Sequence, residues 1–88
     1  MYQFYIGSNC FGHMPELDKI KEILADYEIK GWTIINANGF WNGVDEQSII
    51  LQVEGLTKSK ALTILQVLKN RLQQDAIGFQ RLPEVQFI

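Results

Sequence analysis

Asn42-Gly43 is the feature that most constrains this chain, because an Asn-Gly pair between two β-rich runs specifies a tight hairpin. Before it, Trp32 to Trp41 reads WTIINANGFW; after it, Gln47 to Glu54 reads QSIILQVE. Both runs are rich in β-branched and aromatic residues, so they are expected to pair as antiparallel strands. Such a hairpin has an apolar face that the rest of the chain must cover.

The cover is written on either side. From Pro15 to Tyr27 the residues Leu17, Ile20, Ile23, Leu24 and Tyr27 recur at helical spacing. Pro15 suits a first helical turn, and Glu16 and Asp18 place negative charge at the positive end of that helix. From Lys58 to Gln74 a second helix is expected, with Thr57 as its N-cap. Its stripe is Ala61, Leu62, Leu65, Leu68, Lys69 and Leu72, widened by Ile64. Tyr2 to Ser8 reads as a first strand. Ala76 to Phe79 is expected to pair with it as strand four, and Val85 to Ile88 to form an extra edge. The order is βαββαβ over residues 1–88, read as a single domain. Right-handed crossovers put both helices on one face of an antiparallel sheet. The expected fold is therefore α+β, a ferredoxin-like βαββαβ sandwich.

Strand alternation then assigns the uncovered face. Phe4, Ile6, Ile49, Leu51 and Val53 point toward the helices. Gln3, Tyr5, Ser48, Ile50, Gln52 and Glu54 fall on the open side, together with one strand-two isoleucine. An apolar cluster rimmed by polar groups is the composition of a subunit interface. Tyr5, Ile50 and Gln52 are accordingly the expected oligomer contacts. A chain of 88 residues builds only a modest core. With one cysteine, Cys10, it forms no internal disulfide, so association is the expected aid to stability.

The net charge of −2 does not favour nucleic acid, which needs clustered Lys and Arg. The Met1-Tyr2-Gln3-Phe4 start has no basic region before an apolar stretch, and no apolar run approaches the roughly 20 residues of a membrane span. A cytoplasmic protein without membrane insertion is expected.

The most unusual segment is Ala37 to Glu46, where Phe40 and Trp41 share a hairpin tip with glycines and two acids. Gly39, Phe40, Trp41, Asn42 and Glu46 are the expected ligand- or partner-binding residues, since aromatics at a tip anchor partners. The Gly7–His13 connection carries no phosphate-binding pattern. His13 and Cys10 lack an evident partner for catalysis or metal binding, and no catalytic or metal residue is assigned. Lys58, Lys60, Lys69 and Arg71 read as a mildly basic, solvated helix face.

Leu17 to Gly43, LDKIKEILADYEIKGWTIINANGFWNG, resembles the PII signalling proteins and their PII-like relatives. There a helix leads through a glycine turn into strand two, here Gly31-Trp32-Thr33-Ile34, and a glycine-bearing segment, here Gly39-Phe40, opens the T-loop. The resemblance implies a regulatory, ligand-sensing homo-oligomer, a trimer by preference, with sites between subunits. The T-loop is shortened to Trp41–Glu46. The segment Gln74-Asp75-Ala76-Ile77-Gly78 stands where relatives hold phosphates, and Arg81 stands alone. ATP binding does not carry over, and the cofactor stays open. Three rivals use the same topology. One is a small enzyme of the dimeric α+β barrel type with His13 or Glu46 in its cavity. Another is a protein–protein adaptor using the open face. The third, an RNA-binding module, lacks an aromatic on strand three.

Overall fold

The computed structural model describes residues 1–8 and 15–88. Six elements follow in the order β1 (Tyr2–Ile6), α1 (Leu17–Asp26), β2 (Trp32–Trp41), β3 (Val44–Val53), α2 (Lys58–Arg71) and β4 (Gly78–Arg81). The strands form one sheet in the order β2-β3-β1-β4, antiparallel throughout. The molecule is thus a small α+β structure with a four-stranded antiparallel sheet and two helices. Among the described residues, no helix is long and apolar enough to cross a membrane.

The hairpin forms as its Asn-Gly pair demands. Asn42 and Gly43 both take positive φ, 51° and 77°, which is the backbone of a two-residue turn matched to strand twist. The ladder therefore closes at once: Trp41 pairs with Val44, and β3 begins at Val44 rather than at Gln47. A Cβ at Gly43 would meet nothing within 4 Å, so only its dihedral angles demand glycine. Gly43→Ala is expected to lower the unfolding free energy by about 1–2 kcal/mol, the cost of a side chain in the left-handed region. Urea denaturation checks this, and a change near zero would mean the turn adopts another geometry.

Both helices bury one face in a single core. Ile20, Ile23 and Leu24 of α1 meet Ala61, Ile64 and Leu68 of α2 over Phe4, Ile6, Leu51 and Val53 of the sheet. Thr57 caps α2, its hydroxyl accepting from Lys60 N–H at 3.2 Å. Glu16 stands at the N-cap of α1 without a side-chain bond, so Pro15 precedes the helix instead of opening it. Each helix ends by reversing through a non-glycine residue of positive φ, Glu28 (55°) and Gln73 (54°). In both, the next N–H bonds back to the third carbonyl from the helix end: Ile29 to Leu24 and Gln74 to Lys69, each at 2.9 Å.

Four expectations are corrected. Leu62 and Leu17 are 41% and 37% exposed, because the buried stripe runs through Ile64 and Ile20 and leaves them at its rim. Strand four starts at Gly78 rather than Ala76, since the chain leaving α2 turns at Leu72–Gln73 and is first tied to Gly7 through Gln74. Val85–Ile88 is not a strand of this sheet: Pro83 has no N–H to continue the ladder that Leu82 ends on Met1. Arg71 is not a free basic residue either. It bridges α2 to α1 through Asp26 (3.2 Å) and Glu22 (3.3 Å).

Candidate functional site

Cross-strand register lays out the open face in rows. Gly78, Tyr5, Ile50 and Ile35 lie side by side across all four strands. The neighbouring row is Gln80, Gln3, Gln52 and Thr33. The result is an apolar strip, with Tyr5 42% and Ile35 41% exposed, flanked by amides. Those amides are ordered: Gln52 Nε2 donates to Gln3 Oε1 at 2.7 Å, and Gln3 Nε2 donates to the Tyr5 hydroxyl at 2.6 Å. Tyr5, Ile50 and Gln52 thus stand together on the uncovered face. Ile35, directly opposite Ile50, is the strand-two member of the strip.

Beyond the strip, where β1 ends and β3 begins, the surface sinks into an open groove of about 520 Å³. Its floor is made of small residues, among them Gly7, Ser8, Gly39 and Ser48. Tyr5 supplies aromatic surface; Phe40, 71% exposed, borders the groove from β2, and its pairing with Asp45 puts its ring on the other face of the sheet from Glu46. Glu46 and Asp75 supply two carboxylates. Among the described residues no lysine or arginine lines it.

Local structure explains each placement. Glu46 pairs with Gly39 across the hairpin, and its carboxyl carbon lies 3.1 Å from where a Cβ on Gly7 would sit. The carboxylate therefore covers the end of β1. Asp75 arrives from the far side of the sequence. The reversal at Gln73 turns the chain out of α2, and Gln74, buried, donates from Nε2 to the Gly7 carbonyl at 2.9 Å. That bond ties the segment after α2 to the last turn of β1 and sets Asp75 and Ala76 on the groove wall. Gly78 closes the wall because the Tyr5 ring lies on it. A Cβ at Gly78 would stand 3.0 Å from both Cβ and Cδ2 of Tyr5.

Of the residues expected at the binding tip, Gly39, Phe40 and Glu46 line this groove. Asn42 sits in the turn, outside it. The Trp41 backbone pairs with Val44, and its side chain lies outside the described residues, as do Cys10 and His13. Asp45 and Glu46 do not form a carboxylate pair: successive strand residues face opposite sides, and Asp45 opposes Phe40. Sequence analysis places Gln74–Gly78 where PII-like relatives hold phosphates but gives it no binding role, because nothing local shows that Gln74, Asp75 and Gly78 meet Glu46. Their role comes from a bond across 67 positions of sequence.

Two other features are less suited to a ligand. A groove of about 430 Å³ between the start of α1 and the β2–β3 ribbon is lined by Pro15, Leu17, Asn36, Asn38, Gln47 and others, with no titratable side chain among the described residues. At the opposite end of the sheet Glu84 joins the Met1 amine, which holds the Glu84 carboxyl below its ordinary range. Its hydrogen bond to Glu54, aided by burial and like charge, raises Glu54. This contact fastens the chain after β4 to β1. Among the described residues no cluster of three or more His, Cys, Asp or Glu is placed to hold a metal ion.

No family model matches the sequence, and no curated protein matches it. Among solved structures the chain is similar to a phage SAM lyase in its apo state. The TM-score is 0.61 at 18% identity, covering 89% of this chain and 74% of that one. At that identity the likeness is one of fold.

Proposed function

We propose that this ferredoxin-like chain works as a homo-oligomer that binds a small cationic ligand carrying a flat ring, in the groove between Tyr5, Glu46 and Asp75. The observation that carries the reading is the composition of that groove: two carboxylates and the Tyr5 ring over a floor of small residues, with no lysine or arginine among the described lining residues. Phosphates would meet the like charge of Glu46 and Asp75 there, which disfavours an adenine nucleotide. A positive centre gains from both carboxylates and from an aromatic face. The phage lyase of similar fold acts on S-adenosylmethionine, whose sulfonium and adenine have this chemistry, and that makes it the first ligand to test. The apolar strip of Tyr5, Ile50 and Ile35 supports association through the open face, as in the PII-like arrangement of subunits around shared clefts.

Calorimetric titration with S-adenosylmethionine, its uncharged thioether S-adenosylhomocysteine, and ATP tests the reading. The sulfonium is expected to bind at least about tenfold more tightly than the thioether, a difference of roughly 1.4 kcal/mol. ATP is expected to bind more weakly than either. Tighter ATP binding, or no binding of any of the three, would sink the proposal. Light scattering on the same sample is expected to give a multiple of the chain mass.

A second reading is an enzyme acting on that ligand, favoured by Glu46 and Asp75 sharing one groove and by the lyase of similar fold. Chromatography after prolonged incubation separates the two. Quantitative recovery of the sulfonium supports a sensor, whereas its consumption, lost in Glu46→Gln, supports an enzyme.

A further inference from the structure

Sheet edges are normally shortened, charged or interrupted by proline, because unpaired N–H and C=O groups recruit other strands. β4 follows this practice. It has four residues, ends in Arg81, and is followed by Pro83. β2 does not. It is ten residues long and lies at the other edge of the sheet. It contains no charged residue and no proline, and no described residue pairs with its outer side. Trp32, Ile35 and Phe40 are exposed along it.

The same chain carries a strand-like segment with nothing to pair with. After Pro83, Glu84 is held at the Met1 amine. From there Val85-Gln86-Phe87-Ile88 runs outside any strand, with Val85 46% and Phe87 87% exposed. Val85 and Phe87 alternate with Glu84 and Gln86, the pattern of an edge strand with one apolar side. It has no partner on its own sheet, since Pro83 breaks the ladder.

We propose that Glu84–Ile88 of one copy adds as a strand along the free edge of β2 in a second copy. Backbone hydrogen bonds would supply the attachment, and Phe87 and Val85 would cover apolar β2 side chains. Five residues at about 3.3 Å each reach along roughly half of β2. Giver and receiver are different surfaces of one chain, so the contact is heterologous and closes into a ring when the rotation permits. The inference rests on the homo-oligomer proposed above but not on its ligand.

Hydrogen exchange of the β2 amides, read beside the mass from light scattering, tests it. In the full chain the outward amides of β2 are expected to be protected in an oligomer. Deletion of residues 84–88 and Phe87→Asp are each expected to speed β2 exchange at least tenfold and to lower the mass, while β1 amides stay protected. Free exchange of β2 in the full chain would overturn the proposal, and so would β2 protection persisting in both variants. Should both variants also lose β1 protection, a five-residue peptide of sequence EVQFI decides. Excess peptide is expected to lower the oligomer mass of the full chain, and an unchanged mass counts against the pairing. Ligand binding is not read in these measurements, so a failed groove reading leaves their outcome untouched.

Discussion

Phe4→Ala is expected to cost about 3–5 kcal/mol of unfolding free energy, the range for deleting a fully buried aromatic side chain. Phe4 has no exposed surface. It sits in the middle of β1, with Leu51 beside it on one side and Phe79 on the other. The Phe79 ring lies tilted against it at a centroid distance of 5.4 Å, and Tyr2 stacks on the same Phe79 at 5.4 Å. Removing Phe4 therefore opens a cavity between sheet and helices and leaves Phe79 supported on one side only. Domains of this size hold roughly 5–15 kcal/mol in total, so the variant stands near the edge of folding. Urea denaturation at fixed protein concentration measures the loss, since association shifts apparent stability. Leu62→Ala is the matched control. Leu62 belongs to the same helical stripe by spacing but is 41% exposed, and its loss is expected to be within about 0.5 kcal/mol. Equal losses in the two variants would contradict the described core.

The second large effect concerns the groove. Glu46→Lys places a cation in the groove that Tyr5 and Asp75 also line, where the native chain has a carboxylate. Binding of the sulfonium probe is expected to fall about 10–100-fold, the loss of one charge-assisted contact. The thioether probe is expected to lose far less, so the ratio between the two collapses. That ratio separates a counter-charge from a residue that merely shapes the groove, which would weaken both probes alike. The variant is expected to stay folded, because Glu46 lies over Gly7 at the margin of the sheet and is not among the buried core residues. Retention of the sulfonium preference in Glu46→Lys would remove Glu46 from the recognition of charge. In that case Asp75→Asn is the next variant, read by the same ratio.

How much of this was legible beforehand differs by element. The hairpin was legible, because Asn-Gly chooses its turn locally and the turn sets the register of every pair from Trp41–Val44 to Trp32–Val53. The division of the sheet into faces followed from strict alternation, so Tyr5, Ile50 and Gln52 could be grouped before any contact was known. Phe40 and Glu46 are expected at the binding tip by type and position at the ribbon, but alternation puts their side chains on opposite faces. Asp45 and Glu46 show why that matters: one step along a strand sends the side chain to the other face.

Local pattern by itself determined the two helices, the hairpin and the two faces of the sheet, because turn chemistry and periodicity act over a few residues. The tertiary structure alone decided three things: where β4 begins, which of Leu62 and Ile64 is buried, and that Gln74 and Asp75 meet Glu46. Each depends on residues far apart in sequence whose approach is set by packing, such as the Gln74 bond to Gly7. A one-dimensional pattern carries no term for such a contact.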